Sequence, residues 1–302
     1  MPVDYAALRA VAAVVRTGSF ERAAASLHVT PSAISQRVKH LEERLGAVLI
    51  ERGTPCTATD KGLALCRHMD RVGMLEKDLM AQLPEFSGLE GAGQRVTLNL
   101  ATNADSLGTW FLEAIASFTR ATDYLVNVAI DDENHTADWL RRGRVLAAVT
   151  ALERPVQGCR VTPLGSMRYQ ATASPGFVAR YFPDGLTEEA FRRAPALTFD
   201  QKDQLQTIWA REVFGQAMSF PTHWLPSTQS FLEASIAGMG WALNPVQLAR
   251  RHLECGDLVE LVPGRFLERP LFWQINRLAA DQLHELSRSI LTVARRDLGL
   301  PA

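Results

Sequence analysis

The sequence predicts an all-α N-terminal head with a small β wing, then one long helix, then an α/β region. Three observations indicate this order. Apolar residues recur at helical spacing through the first 45 positions, residues 60–83 contain no proline, and strand-like and helical segments alternate from Arg95 onward. A chain of 302 residues is expected to form about two domains.

Composition and charge restrict the classes of protein. The formal net charge is −1, so any surface for nucleic acid must be a local basic patch. No apolar stretch reaches the roughly 20 residues that cross a bilayer, and the N-terminus lacks a secretory pattern, so no membrane partner is expected. Four scattered cysteines without a CxxC pair favour a cytoplasmic protein with free thiols.

Three short helices are predicted in the head, over residues 4–16, 20–27 and 31–45. Thr30 is expected to cap the third helix, Pro31 suits its first position, and Gly46 ends it. The residues predicted to be buried lie at helical spacing and are Leu8, Val11, Ala12, Val15, Phe20, Ala23, Ala24, Leu27, Ile34, Val38, Leu41 and Leu45.

The opposite face of the third helix carries small hydroxyls, an amide and cations, with no acid between residues 22 and 41. In a DNA major groove, hydroxyls and amides can contact base edges while cations contact phosphates. The alternative is a solvated face of a three-helix bundle. The candidate DNA-binding residues are Ser32, Ser35, Gln36 and Lys39, flanked by Arg37 and His40, with Arg52 on a wing formed by strands at 49–52 and 56–59.

The order helix, helix, tight turn, helix is the helix-turn-helix arrangement. Four segments, at residues 20–24, 32–42, 49–52 and 59–62, resemble the winged helix-turn-helix of LysR-type transcriptional regulators. The resemblance implies a homodimer or homotetramer that binds double-stranded promoter DNA and alters access of RNA polymerase. Thr57 departs from the family, because similar regulators carry a basic residue near this position, and we therefore expect a weaker wing contact.

Residues 60–83 predict a single helix about 36 Å long. Its narrow apolar seam is typical of a coiled coil and predicts dimerisation; the alternative is a helix packed on its own domain. A linker follows at Pro84 to Gly93. The predicted domains are therefore 1–60, 61–92 and 93–302. The seam residues are Leu65, Met69, Val72, Leu79 and Leu83, with Leu75 beside them.

The alternation beyond Arg95 predicts parallel sheets covered by helices, with ligands at the carboxyl ends of the strands. The predicted strands are 96–101, 126–130, 145–150, 196–199 and 241–243, and the predicted helices are 106–119, 136–142, 204–214, 230–237 and one opened by Pro245. In the LysR-type family this region is two α/β subdomains resembling type 2 periplasmic binding proteins. The resemblance implies one subdomain over 93–157 and 268–302, a second over 158–267, and an effector in the cleft between them.

The predicted strand ends carry polar residues that suit a zwitterion with an additional cation. Helix N–H groups would take its carboxylate, and acids would take an ammonium or guanidinium. Singly, Asp105 and Thr228 could instead be helix caps, and the acids at 131–133 could be solvated. The candidate effector-binding residues are Asn103, Asp105, Ser106, Asp131, Asp132, Thr150, Asp200, Ser227 and Thr228.

Further segments resemble the arginine- and lysine-sensing branch of the family, at residues 103–107, 140–143, 181–185, 190–195 and 272–273. This resemblance implies L-arginine or L-lysine as effector and control of basic amino-acid export. Arg168 and Gln170 depart from the relatives, so a regulator of another effector stays open.

The sequence gives little support to an enzymatic function. GxxxxGK[ST], HExxH and GxSxG are missing from the sequence, and the seven histidines do not fall at metal-ligand spacing. No catalytic residue, metal or cofactor is therefore expected. A cytoplasmic amino-acid-binding protein or an enzyme without DNA function is the alternative from a different class.

Overall fold

The computed structural model describes residues 3–82 and 95–299, so the predicted linker at Pro84 to Gly93 lies outside the described residues. The chain divides into two compact units. The first comprises residues up to 99 with segments 123–127 and 141–146, and the second comprises 100–122, 128–140 and the residues from 147 onward. No helix among the described residues is long and apolar enough to cross a bilayer.

The first unit begins with three helices, a two-stranded wing and a long helix, which confirms the predicted order. The wing strands pair antiparallel, with Ile50 opposite Ala58. The bounds are α1 (Tyr5–Thr17), α2 (Phe20–Ser26), α3 (Pro31–Leu45), β1 (Ile50–Glu51), β2 (Thr57–Ala58) and α4 (Asp60–Gln82).

The ends of α3 follow the sequence signals. The Thr30 hydroxyl accepts a hydrogen bond from the Ala33 amide at 3.2 Å. Pro31 occupies the first turn, where its missing N–H leaves no bond unmade. Gly46 has φ +60°, in the left-handed region that ends helices. Both predicted ends of the candidate recognition helix are confirmed.

The core of the head corrects two details of the predicted burial. Leu45 is 49% exposed, because it stands in the last turn of α3 where the chain turns away at Gly46. Ala12, Val15, Phe20 and Leu27 are only partly buried. Because α2, α3 and α4 all contact α1, the buried face of α1 is broader than one stripe and comprises Ala7, Leu8, Ala10, Val11, Ala13 and Val14.

The seam of α4 divides into two parts. Leu65 and Met69 pack against the core of the head, so for this part the alternative of packing on its own domain is correct. Leu75 and Leu79 are 58% and 50% exposed. Leu83 lies outside the described residues. An apolar strip open to a second helix therefore remains only on the C-terminal part of the described helix.

The α/β region consists of the elements from Thr97 onward. Its first part contains β3 (Thr97–Thr102), α5 (Ala104–Ser106), a π-helical turn (Leu107–Phe111), α6 (Leu112–Ala121), β4 (Leu125–Ile130), α7 (Thr136–Arg141) and β5 (Ala147–Thr150). Its second part contains β6 (Cys159–Ala173), α8 (Pro175–Tyr181), α9 (Glu188–Arg193), β7 (Ala196–Thr198), α10 (Leu205–Phe214), β8 (Thr222–Trp224), α11 (Thr228–Ile236), β9 (Ala242–Pro245), α12 (Val246–Cys255), β10 (Val259–Glu260), β11 (Phe266–Asn276) and α13 (His284–Asp297).

The main sheet is mixed, so the prediction of parallel sheets is wrong for part of it. Its order is β10-β6-β11-β5-β3-β4, with β9 also beside β6. In this sheet β3 pairs parallel with β5, whereas β6 pairs antiparallel with β9, β10 and β11. β7 and β8 pair parallel in a separate two-stranded sheet. The antiparallel strands β6, β10 and β11 were not among the predicted strands, and in β6 the residues Pro163 and Gly165 interrupt the apolar pattern.

Candidate functional site

The outward side of α3 is open to solvent. Gln36, Lys39 and His40 are exposed, while Ile34 and Val38 on the opposite side are 0% and 1% exposed. Lys39 Nζ lies 3.7 Å from Glu43 Oε1, with both side chains exposed. Such a surface pair stabilises by less than about 1 kcal/mol, so Lys39 can turn to another anion at little cost.

Ser32 is also exposed, whereas the candidate residues Ser35 and Arg37 of α3 are less open. The Ser32 hydroxyl lies 3.0 Å from the Thr30 hydroxyl, and Ser35 is partly buried. Arg37 is partly buried and borders a cavity of about 250 Å³ together with residues of α1. Arg37 therefore lies on a different side of α3 from Gln36 and Lys39.

The wing places Arg52 beside α2. The Arg52 guanidinium lies 5.4 Å from the centre of the Phe20 ring, and its residue is exposed. Stacking on an aromatic face restricts a long side chain while its charge stays available. The Thr57 hydroxyl donates to Glu51 Oε2 at 3.1 Å, so the residue that replaces the usual basic one joins the two wing strands.

Two positions that fix the wing have no role assigned by the sequence patterns. Glu42 Oε1 accepts hydrogen bonds from the Leu49 and Ile50 amides at 2.7 and 3.3 Å, so α3 holds the start of β1 through this carboxylate. A Cβ at Gly62 would lie 2.0 Å from the Leu49 carbonyl oxygen, which only glycine avoids. Glu42 and Gly62 lie in the segments 32–42 and 59–62, which resemble the winged helix-turn-helix pattern. That resemblance is the sequence signal that could have identified both residues.

The second candidate site lies in the α/β region and is centred on Asp105. Its Oδ2 accepts a hydrogen bond from the Tyr169 hydroxyl at 2.7 Å, and its Oδ1 accepts one from the Thr228 hydroxyl at 2.6 Å. The caps are other residues: Asn103 accepts from the Ser106 amide and Ser227 from the Ser230 amide. The alternative that Asp105 and Thr228 are helix caps is therefore wrong.

The acids after β4 are each engaged rather than merely solvated. Asp131 accepts from the Trp139 indole at 3.0 Å and lies 3.5 Å from the Lys202 ammonium. Asp132 Oδ1 accepts from the Asn134 amide at 2.9 Å. Glu133 is 5% exposed and lies 3.5 Å from Arg269 Nε.

Two predicted effector residues hold local structure. Thr150 is fully buried, and its hydroxyl oxygen accepts from the Gln274 amide at 3.2 Å. Asp200 Oδ1 accepts from the Lys202 and Asp203 amides at 2.7 and 3.2 Å, which forms a tight turn. The structure therefore joins the side chains of Asp105 and Thr228 directly. The side chains of Thr150 and Asp200 instead make hydrogen bonds to other residues, Thr150 to Gln274 and Asp200 within its turn.

The electrostatics around Asp105 favour neutral carboxyl groups. Burial raises the pKa of Asp105 above its usual range, hydrogen bonds from Thr228 and Tyr169 oppose this, and the charges of Asp203 and Asp132 add to it. Burial, followed by repulsion from Asp132, raises the pKa of Glu133 to about 7. Burial also raises the pKa of Asp203.

Tyr169, Asp203, Glu133 and Arg269 belong to this cluster but were not among the predicted site residues. Tyr169 and Thr228 are 64 and 123 residues from Asp105 in the chain, so local patterns cannot join them. Arg168, which departs from the relatives, instead pairs with Glu268 at 3.2 Å on an exposed surface.

A winged helix-turn-helix with an open polar recognition face, together with an α/β region that gathers buried acids and hydroxyls, defines a ligand-responsive DNA-binding regulator. Comparison with known families agrees. Residues 5–63 match the bacterial regulatory helix-turn-helix protein, lysR family, and residues 91–294 match the LysR substrate binding domain. The chain belongs to the LysR family of transcriptional regulators.

The chain is similar to regulators named LysG and ArgP. It is 42% identical to the HTH-type transcriptional regulator ArgP of Pseudomonas fluorescens, over 95% of this chain and 96% of that protein. It is 41% identical to LysG of Mycobacterium tuberculosis, over 97% of this chain and 94% of that protein. These relatives are regulators and not enzymes.

A solved structure extends the similarity to the fold. Full-length LysG from Corynebacterium glutamicum with bound effector Arg has a TM-score of 0.67 and 34% identity to this chain. The match covers 98% of this chain and 99% of that one. The predicted winged head, long helix and α/β regulatory region are therefore confirmed as the LysR-type arrangement.

Proposed function

We propose that this regulator binds L-arginine or L-lysine at Asp105 and controls genes such as a basic amino-acid exporter. The proposed effector cleft lies between one subdomain at about 93–157 and 268–302 and another at about 158–267. Asp105 belongs to the first, and Tyr169 and Thr228 belong to the second. The arginine bound to LysG of C. glutamicum supports this choice of effector class.

One observation carries the proposal: the Asp105 carboxylate accepts hydroxyl hydrogen bonds at 2.7 and 2.6 Å while further acids lie near it. A buried carboxylate that has only neutral donors can bind an ammonium or guanidinium with a charge-assisted hydrogen bond. Neutral amino acids lack the side-chain cation that this cluster favours. The cluster therefore fits a basic amino acid better than a neutral one.

The DNA-binding role is proposed for the outward face of α3. Gln36 would contact base edges, with Ser32 and Ser35 beside it, and Lys39 and His40 would lie near phosphates. Arg52 would contact a phosphate from the wing, and Arg37 would act only at the edge of this surface because it lies toward α1.

A homodimer or homotetramer would present two heads to a partly palindromic promoter site. The exposed side chains of Leu75 and Leu79 support a second helix packed against α4. Effector binding would favour one arrangement of the subdomains and so shift the spacing of the heads and the access of RNA polymerase. Only a difference in affinity between the two arrangements can drive that shift. We propose that this takes place in the cytoplasm.

A mobility-shift assay with the DNA upstream of the chain's own gene tests the proposed DNA binding by α3. Wild-type protein should bind this fragment in preference to unrelated DNA, with an affinity that falls as salt rises. The double variant Gln36→Ala, Lys39→Ala should lose the preference, while Glu43→Ala on the same helix should keep it. A double variant with unchanged preference would overturn the assignment of α3.

Calorimetry tests the effector. L-arginine or L-lysine should bind at least about 10-fold more tightly than citrulline, which has nearly the shape of arginine but no charge, because a charge-assisted bond contributes about 1.5–3 kcal/mol. Equal affinity for arginine and citrulline would refute a basic effector at Asp105.

A further inference from the structure

Carboxyl groups outnumber the cations in the cluster around Asp105. The charges of Asp203 and Asp132 act on Asp105, and the charges of Asp132 and Asp105 act on Glu133. These four acids come from three parts of the chain: Asp105 from α5, Asp132 and Glu133 from the segment after β4, and Asp203 from the segment before α10. Asp105 itself accepts hydrogen bonds from the Tyr169 and Thr228 hydroxyls.

The charged and titratable groups that face this cluster can be named from each element around it. From β11, Arg269 Nε lies 3.5 Å from Glu133. From the segment after β4, His135 Nδ1 lies 3.3 Å from Asp132. From the β7–α10 segment, the Lys202 ammonium lies 3.5 Å from Asp131, and from β6 the Tyr169 hydroxyl donates to Asp105. Among the described residues, these contacts give no cation to Asp105 or Asp203.

Unpaired buried polar atoms beside Asp105 also indicate a ligand. Thr102, Asn103 and Ser106 are 0%, 3% and 0% exposed. Within the described residues, no hydrogen-bond partner is found for the Thr102 hydroxyl, the Asn103 side-chain NH₂ or the Ser106 hydroxyl. Buried polar groups are normally paired, and three unpaired ones within three residues of Asp105 in the chain are what a polar ligand would satisfy.

We infer that a cationic ligand enters this cluster in exchange for protons, so that the same site responds to a basic amino acid and to pH. The inference rests on the proposed function, since it concerns the ligand proposed there. In the exchange, the carboxyl groups of the cluster release protons to solvent and the resulting carboxylates pair with the guanidinium or ammonium. No covalent bond forms or breaks, and the ligand keeps its own protons.

The direction of the pH effect follows from the ionisation of Glu133. Its pKa, raised to about 7 by burial, means that it is mostly protonated below neutral pH when no ligand is bound. A bound cation favours the ionised form and lowers that pKa, so binding releases protons at acidic pH. Affinity should therefore rise with pH, by at most about 10-fold per pH unit for each proton released, and level off above the unliganded pKa.

The test is calorimetry of full-length protein with L-arginine between about pH 5.5 and about pH 7, where the guanidinium stays charged. We expect affinity to rise roughly 5- to 15-fold across this range, corresponding to about one proton from a group with a pKa near 7. At the lower pH, the binding enthalpy should also differ between phosphate and a buffer with a large ionisation enthalpy. This comparison uses wild-type protein, so it does not depend on a variant that folds.

Single-residue variants then identify which side chain releases the proton. Glu133→Gln should bind arginine with a flatter pH dependence, whereas Glu268→Gln, a matched exposed control on β11, should keep the wild-type slope. His135→Gln should also keep most of the slope, which separates the histidine from the carboxyl groups.

The outcomes distinguish this inference from the proposed function. If arginine binds with the same affinity across the range and with an enthalpy independent of buffer, the proton exchange is overturned and the proposed effector remains. If neither arginine nor lysine binds at any pH, the proposed function itself is overturned. A slope that Glu133→Gln leaves unchanged while His135→Gln removes it would overturn the role of the carboxyl cluster.

Discussion

Replacing Glu42 should loosen the wing from the recognition helix. Glu42 Oε1 is the acceptor for the Leu49 and Ile50 amides, at 2.7 and 3.3 Å, and Leu49 is fully buried. In Glu42→Ala both amides lose this acceptor. A buried donor left without a partner costs about 1–3 kcal/mol, and the longer of the two bonds contributes less, so we expect a loss of about 2–3 kcal/mol.

Native-state amide hydrogen exchange measures this loss at the bonds themselves. Since 1.4 kcal/mol corresponds to tenfold, residues 47–52 should exchange about 30- to 150-fold faster in Glu42→Ala. Glu42→Gln keeps an acceptor oxygen but loses the charge, so its effect should be smaller, near about 1 kcal/mol.

Glu43→Ala is the matched control, because Glu43 is the next residue of α3 and its exposed side chain pairs with Lys39 at 3.7 Å. It should change exchange in the wing by less than about threefold. DNA affinity should fall more in Glu42→Ala than in Glu43→Ala, since the wing carries Arg52. Equal exchange in the two alanine variants would refute the reasoning that Glu42 anchors the wing.

Three further predictions concern close packing, the effector and dimerisation. Gly62→Ala should destabilise the head by at least about 2 kcal/mol in thermal unfolding followed by circular dichroism, because its Cβ would lie 2.0 Å from the Leu49 carbonyl; an unchanged transition would contradict the contact. Asp105→Asn should weaken L-arginine binding about 10- to 100-fold in calorimetry while the fold persists, and a change below twofold would count against the site. Leu75→Arg with Leu79→Arg should shift the protein toward monomer in analytical ultracentrifugation, since both side chains are exposed on α4, and an unchanged assembly would place dimerisation elsewhere.

Local signals explain why the head was predictable. Thr30, Pro31 and Gly46 act within a few residues of themselves, through a cap, a restricted φ and a left-handed end. Helical spacing located Ile34 and Val38 correctly. It misplaced Leu45, because periodicity continues to the last residue of a helix while contact with neighbouring helices does not.

The candidate effector cluster was only partly predictable. Asp105 and Thr228 follow from the rule that ligands bind at strand ends, and the structure joins their side chains at 2.6 Å. Tyr169 lies within β6, whose pairing with β11 depends on contacts about a hundred residues away in the chain. Long-range pairing of this kind leaves no local pattern, and the same is true of Arg269 beside Glu133.

Photo-cross-linking from the open side of α3 tests most directly whether this side enters duplex DNA. A photoreactive phenylalanine analogue at Gln36 should cross-link to bases within each half-site of the operator, and the same analogue at Tyr5 on α1 should give little base cross-linking. If the analogue at position 36 gave no cross-links to operator bases while the protein still retarded that DNA, the placement of α3 in the DNA groove would be contradicted.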